Sequence, residues 1–441
     1  MRPESGLLSI VGGVHRRGGA IATVKITLGL AALLIAASAS AQLADDQVPH
    51  ERTLPVSEEI RMQLENSRLR LGVFRLQPTF AVRDFGYDNN VFGTPNNPVG
   101  DWHSSVAAGA AFIVPGGSKL YLRGEAVPNY TYYQKLTTRR SLGGDYAASI
   151  LGLFNRMTVE VGAQSSKQLG NVSSEVERPA IGTLMIATGT LEVDILRRLS
   201  LFGVAKGERT RFDLTADELA QGASLGVLER NESLARGGVR YRVTSFFDIS
   251  AAAEKTRTTF LTGQGRDNET TAAILGVHYD RPRSFVNVSV GSRKAEATDA
   301  ASAAFPGFST ATGSYYASHE LSAGLILDAY GHRGIGYSVT ADNAYYLETR
   351  NGGGITVPLG QRFALRAFGE TGANSYPIPE NGVKRTDDVT AYGGGFALRL
   401  YRSLVLTTTA SNTKYDSTTP GNSRSIFRVS TVVAAQTGLF R

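Results

Sequence analysis

The feature that most constrains this chain is the regular alternation of apolar and polar residues from residue 74 to its end. Met157, Val159 and Val161 form one such apolar row, with Thr158 and Glu160 between them. Because successive side chains of a β-strand point to opposite faces, each such stretch of about ten residues has one apolar face and one polar face. A soluble β-sandwich shows the same alternation, so the connections between strands must distinguish the two architectures.

These connections are alternately short and long. A longer polar loop separates consecutive short turns, and the predicted loops include 167–183 and 346–352. The short turns are predicted at 115–118, 154–156, 196–199, 244–245, 281–283, 331–333, 359–361 and 401–403. This rhythm predicts an all-β fold, a transmembrane antiparallel up-and-down β-barrel of about 18 strands with 16 as the alternative. Short turns then lie on the periplasmic side and long loops on the extracellular side.

The N-terminal region has the pattern of an export signal. Arg16, Arg17 and Lys25 precede an apolar run at 26–37, and the cleavage-type sequence Ala-Ser-Ala follows at 39–41. The sequence therefore predicts a signal peptide over residues 1–41. After its removal we expect the protein in the outer membrane of a Gram-negative bacterium.

Residues 42–72 differ in character from both the signal and the barrel, which is predicted over 73–441. Ser57 is a suitable N-cap, Glu58 and Glu59 suit a first helical turn, and Ile60 and Leu64 form a small apolar stripe. This pattern predicts a periplasmic leader with a short helix. The leader is either loosely structured, a contact for a periplasmic partner, or a plug of the barrel mouth.

Composition excludes several classes of site. The chain has no cysteine, which excludes disulfides, thiolate metal sites and thiol nucleophiles. Its net charge of +7 falls to +4 without the first 41 residues, and its basic residues form no run, so we expect no nucleic-acid partner. We expect no cofactor or metal. The expected partners are membrane lipid, lipopolysaccharide and the β-barrel assembly machinery.

Two short segments resemble a known family. Residues 71–78 read LGVFRLQP and residues 87–92 read YDNNVF. In these segments the chain resembles the β-barrel porin family that includes outer-membrane proteins of exopolysaccharide biosynthesis operons. The resemblance implies a channel that takes part in exopolysaccharide export, with polysaccharide and a periplasmic export protein as partners. The alternatives are a general diffusion porin for small polar solutes and a structural or surface-binding barrel.

Strand parity assigns a set of mostly charged residues to the lumen of the barrel. Arg236, Arg240 and Arg242 share one face of a strand, and either guide anions or pair with neighbouring carboxylates. Tyr121 and Phe202 are the aromatic candidates for contact with a sugar ring. The predicted pore-lining residues are Arg75, Arg83, Tyr121, Arg123, Glu125, Glu160, Glu192, Asp194, Lys206, Glu208, Arg236, Arg240, Arg242, Asp248, Glu254, Glu320, Asp328, Asp342, Arg362, Arg366, Glu370, Arg399 and Arg428.

Other tyrosines suit the aromatic girdles at the membrane interfaces. They are Tyr130, Tyr132, Tyr315, Tyr337, Tyr345, Tyr346 and Tyr392. Catalysis would need a nucleophile and a base that converge. His278 and His319 have no recognisable nucleophile motif around them, so we expect that the protein is not an enzyme.

Overall fold

The computed structural model describes residues 56–67, 69–175, 179–213, 225–262, 265–298, 305–321, 324–340, 343–379, 383–401 and 404–435. The predicted signal peptide lies outside these residues. Helix α1 spans Val56–Asn66. The strands are β1 Leu69–Leu71, β2 Phe74–Asp88, β3 Asp101–Gly116, β4 Leu120–Tyr133, β5 Ser141–Leu153, β6 Met157–Asn171, β7 Pro179–Leu196, β8 Leu199–Asp213, β9 Arg230–Thr244, β10 Phe247–Phe260, β11 Asn268–Arg281, β12 Ser284–Ala297, β13 Phe308–Glu320, β14 Ile326–Tyr337, β15 Tyr345–Leu359, β16 Phe363–Ser375, β17 Thr386–Arg399, β18 Leu404–Ser417 and β19 Arg424–Ala435.

Strands β2 to β19 form a closed barrel of 18 antiparallel strands. Each strand pairs with its neighbours in sequence, and β19 pairs with β2 to close the sheet, with Val429 opposite Tyr87. The short β1 extends the sheet by pairing with the start of β2, where Leu69 lies opposite Leu76. The predicted up-and-down barrel of 18 strands is confirmed.

The outer surface of the barrel is apolar. Leu275 on β11 and Val290 on β12 lie opposite each other, and their side chains are 61% and 54% exposed. Ile355 on β15 is similarly exposed. Exposed apolar residues at one strand parity form the band that a transmembrane barrel presents to lipid. Among the described residues, no helix is both long and apolar enough to cross a bilayer.

Seven of the eight predicted turns fall at or next to a strand end, but the turn predicted at 331–333 is wrong. The chain instead turns between Glu320 and Ile326, where Gly324 has a left-handed φ of +80°. Gly331 lies inside β14, where a Cβ atom would come within 2.6 Å of the Tyr315 ring. Its lack of a side chain therefore serves packing against an aromatic ring and not a turn.

This error shifts one further assignment. The loop predicted at 346–352 is wrong, because those residues belong to β15. Because the chain turns before Ile326, Glu320 and Asp328 lie on two successive strands, β13 and β14.

Closure of the barrel depends on Gly86. In its pairing with β3, strand β2 has a bulge between Arg83 and Gly86. Gly86 lies opposite Ser430 on β19. A Cβ atom at Gly86 would collide with the main-chain oxygen of Val429.

We expect Gly86→Ala to lower the free energy of unfolding by about 1–3 kcal/mol, since the clash forces the closing strands apart. Urea titration of the protein in detergent micelles measures this change. Gly207→Ala is the matched control, because a Cβ atom there would meet nothing within 4 Å. Equal stabilities of the two variants would contradict the prediction.

Candidate functional site

The basic row predicted on β9 is largely neutralised by carboxylates. Arg236 donates from Nε to Oε2 of Glu254 on β10 at 2.8 Å. Arg293 on β12 donates to Oε1 of the same carboxylate at 2.9 Å. Glu254 is thus buried between two guanidinium groups, which hold it in place by charge-assisted hydrogen bonds.

Arg240, the next member of that row, is also paired. Its Nη1 lies 2.8 Å from Oε1 of Glu192, and its Nε lies 3.9 Å from Asp248. The same guanidinium lies 5.5 Å from the centre of the Phe202 ring, so one face of that aromatic candidate is covered. Arg242 is exposed and forms no ion pair with a described residue. The salt-bridge interpretation therefore fits Arg236 and Arg240 better than an anion ladder.

Several other predicted pore-lining residues form ion pairs, most of them between strands. The exception is Lys206 with Glu208, since both lie on β8. Arg366 binds Asp328 through two hydrogen bonds of 2.6 and 2.9 Å. The further pairs are Arg428 with Asp88 at 2.8 Å, Arg83 with Asp145 at 3.3 Å, Lys206 with Glu208 at 2.8 Å and Arg350 with Glu370 at 3.7 Å. Among these partners, Asp88, Asp145 and Arg350 were not among the sequence candidates. Charge complementarity between adjacent strands could have pointed to Asp88 and Arg350. It could not have pointed to Asp145, because Arg83 on β2 and Asp145 on β5 lie three strands apart.

The remaining candidates occupy scattered positions. Arg75 donates to the Gly72 carbonyl, and Asp194 accepts a hydrogen bond from Ser200. Glu320 ends β13, Arg399 ends β17 and Arg362 lies in the turn before β16. Asp342 lies outside the described residues. The assignment of the whole set to the channel wall stays a prediction.

Helix α1 packs against the barrel near the turns that join β3 to β4 and β5 to β6. Ile60 is buried against Ile113 and Leu151, and Tyr121 packs against the same cluster. These wall residues lie on the face opposite to the exposed Leu120 and Leu122, so the helix lies on the lumenal side.

A polar contact also fixes α1. Arg123 donates to Oε1 of Glu59 at 2.9 Å and to Oε1 of Glu160 at 2.7 Å. The guanidinium thus links the helix to β6 through β4. Tyr121, a predicted sugar contact, instead packs against helix α1.

We expect Ile60→Asp to release α1 and raise the single-channel conductance, because a carboxylate at this position would be buried without a partner. Planar-bilayer recording measures the change. Arg61→Asp is the matched control, since Arg61 is exposed on the same helix. Unchanged conductance of Ile60→Asp would show that α1 does not narrow the channel.

The hairpin of β14 and β15 leaves the barrel wall near its tip. β13 pairs with β14 only from Gly313 opposite Arg333 to Glu320 opposite Ile326, so the last four residues of β14 have no partner on β13. This part of the hairpin folds inwards. As a result, the Tyr337 hydroxyl lies 3.0 Å from Oγ1 of Thr258 on β10, four strands away.

Aromatic packing holds the same hairpin. Tyr345 contacts the rings of Phe305, just before β13, and Phe308, at the start of β13. These rings pack with Ala295 of β12. The girdle prediction is therefore wrong for Tyr337, Tyr345 and Tyr346, whose hairpin turns away from the membrane. Tyr130, Tyr132 and Tyr392 are exposed as a girdle requires.

The loop after β6 meets this hairpin, and we call the contact between Glu175 and its partners the latch. Glu175 accepts hydrogen bonds from Ser338 Oγ at 3.0 Å and from the Val339 amide at 2.8 Å. Arg385 approaches its Oε1 at 3.4 Å, and Arg424 donates to its carbonyl at 2.6 Å. Since β7 and β15 lie eight strands apart in an 18-strand barrel, the latch joins nearly opposite walls.

The latch is buried, which affects its titration. Burial raises the pKa of Glu175, although the Val339 amide and Arg385 oppose that rise. Burial opposes the charge on Arg385 as well, but its hydrogen bonds to Asp387 raise the pKa overall. Arg385 therefore stays charged while Glu175 is the titrating member.

A cavity of about 750 Å³ lies along β4 to β9. Its polar lining includes Glu125, Gln164, Glu208, Asn231 and Glu232. These three carboxylates and two amides form a polar surface that suits hydrated polar solutes.

The two histidines considered from the sequence, His278 and His319, lie in separate non-catalytic contacts. His278 packs edge-on against Phe285, with ring centres 5.3 Å apart. His319 Nδ1 lies 2.8 Å from Ser284 Oγ at an exposed strand end, with no described acidic group that orients the ring.

Two porins are among the solved structures with a similar fold. A BenF-like porin from Pseudomonas fluorescens Pf-5 matches with a TM-score of 0.51 and 10% identity, over 82% of this chain and 98% of that one. OccK2 (OpdF) of Pseudomonas aeruginosa matches with a TM-score of 0.50 and 11% identity, over 81% and 96% of the two chains. The chain is an outer-membrane β-barrel with a porin fold. No protein-family profile matches the sequence, and no curated protein is significantly similar to it.

Proposed function

We propose that this porin-fold barrel is an outer-membrane channel for small polar solutes. The observation that carries the proposal is the latch, in which Glu175 meets Ser338 and Val339 from nearly the opposite wall. It narrows an 18-strand lumen that would otherwise be wide. Paired charges along the wall keep the remaining lumen hydrated.

Export of an exopolysaccharide, which the family resemblance implies, is less favoured by these features. A polymer needs a continuous wide path. The latch crosses the lumen on the loop side, and α1 lies on the lumenal wall near the turns. Small hydrated solutes need less room beside these two obstructions than a polymer does, so the diffusion porin is the better supported of the two channel types.

Liposome swelling tests the proposal directly. We expect vesicles containing the mature protein to swell quickly in a pentose or hexose and much more slowly in a tetrasaccharide. Protein-free vesicles are the control. Equal rates for all sugars would favour a wide polysaccharide channel, and no swelling in any sugar would favour a structural barrel.

A further inference from the structure

Basic residues mark the turn side of the barrel. Lys119, Arg156, Arg197, Arg198 and Arg283 lie in four turns between β3 and β12, and all five are exposed. We call them the basic rim. None of the five forms an ion pair with a described residue, and the turns that hold them contain no acidic residue. The rim differs in this way from the interior, where most of the basic residues pair with carboxylates.

The basic rim borders the apolar outer surface. Exposed apolar residues lie directly beside it, among them Phe154, Ile195 and Leu196. The Lys119 ammonium lies 6.0 Å from the centre of the Phe154 ring, which is on the outer side against Gly152 and Val159. Cations next to aromatic rings at the edge of an apolar band are typical of side chains at lipid headgroup depth.

A second contact of the same kind lies further along this edge. The Arg281 guanidinium is 3.9 Å from the centre of the Phe246 ring and 6.0 Å from that of Tyr279. Tyr279 shares the parity of the exposed Leu275 and Val277, so this stack faces outwards. Two separate turns therefore place a cation on an aromatic ring at the lipid boundary.

We propose that the basic rim binds the headgroups of anionic phospholipids in the periplasmic leaflet of the outer membrane. The phosphate oxygens accept hydrogen bonds from the guanidinium and ammonium groups, while the acyl chains cover the adjacent apolar residues. This proposal does not depend on which solute the channel carries.

Tryptophan quenching by brominated lipids tests the proposal. Trp102 is the only tryptophan and lies at the loop end of β3, away from the rim. A Phe154→Trp reporter in a Trp102→Phe background places the fluorophore beside Lys119. The protein is reconstituted in phosphatidylcholine vesicles that contain either brominated phosphatidylglycerol or brominated phosphatidylcholine. We expect the reporter to prefer phosphatidylglycerol about fivefold, as for one Lys or Arg near an anionic surface.

A rim variant and a matched variant identify the cause. The rim variant carries Lys119→Gln, Arg156→Gln, Arg197→Gln and Arg198→Gln, and we expect it to lose the preference. The matched variant removes the same number of charges elsewhere, from the exposed Lys135, Lys255, Lys294 and Lys414, and should keep it. About 1 M salt should abolish the preference in the reporter protein by screening.

Two outcomes would overturn the proposal. One is equal quenching by both lipids in the reporter protein. The other is a preference that survives in the rim variant. In the second case, a change in the anion-to-cation permeability ratio of the rim variant would show that the rim steers ions instead of binding lipid. Heat-modifiable electrophoretic mobility of each variant confirms that its barrel is folded.

Discussion

Replacing Arg366 by alanine is expected to lower the free energy of unfolding by about 3–5 kcal/mol, because it leaves the buried Asp328 carboxylate without a partner. Arg366 on β16 holds both oxygens of Asp328 on β14, at 2.6 and 2.9 Å. The two side chains are only 3% and 1% exposed. Water therefore cannot replace the lost guanidinium, and the penalty of an unpaired charge remains. Urea unfolding of the barrel in phospholipid vesicles measures the loss.

The double variant Arg366→Met with Asp328→Leu is the control for this effect. It removes both charges together, and we expect it to recover most of the stability, since an apolar pair of similar volume leaves no buried charge. Lys414→Ala provides an exposed comparison. Lys414 and Asp416 are 58% exposed, and that pair should contribute about 0–1 kcal/mol. A loss under about 1 kcal/mol in Arg366→Ala would contradict the prediction.

Replacing Glu175 by lysine is expected to open the latch and raise the single-channel conductance. The substitution places a cation beside Arg385 and removes the acceptor for the Val339 amide. Uncompensated buried charge costs about 3–5 kcal/mol, and here two cations face each other without a carboxylate between them. This cost is enough to shift a two-state equilibrium by a factor of more than about 100. Planar-bilayer recording of the mature protein measures the current.

The pH dependence of the latch follows from Glu175. Burial raises its pKa above the ordinary value of 4.5, so the docked loop binds the proton more strongly than a free loop does. Docking is therefore strongest below pH 4.5 and weakens as the pH rises through the raised pKa. We expect the conductance of the wild-type channel to increase with pH in that window.

Glu175→Gln is the control for both effects. The amide is close in shape to a protonated carboxyl group, so we expect the loop to stay docked and the conductance to lose its pH dependence. The same pH dependence in wild type and Glu175→Gln would assign the titration to another group. A conductance of Glu175→Lys equal to that of wild type would show that the latch does not restrict the channel.

The barrel itself was predictable because its signal is local. The alternation at Met157, Val159 and Val161 comes from the two-residue period of a strand. Turn chemistry was less decisive, since both Gly324 and Gly331 are plausible turn residues in the sequence. Only the positions of their neighbours show that Gly331 makes room for the Tyr315 ring and that Gly324 forms the turn.

The candidate site was predictable only as a set of residue types. Parity placed Arg236, Arg240 and Glu254 together on one face of their strands, and the structure pairs two of them directly. The partner of each arginine depends on the register between strands, which local sequence does not specify. Arg240, for example, reaches back to Glu192 on β7, two strands away.

The sequence by itself determined that the chain forms a β-barrel, its approximate strand number and the apolar face of most strands, because each follows from the spacing of neighbouring residues. Only the tertiary structure decided what fills the lumen. The inward hairpin arises where β13 and β14 stop pairing at Gly313, and the latch joins Glu175 to Val339, 164 positions apart. Such contacts depend on the closure of the whole barrel, which brings distant loops together over a single lumen.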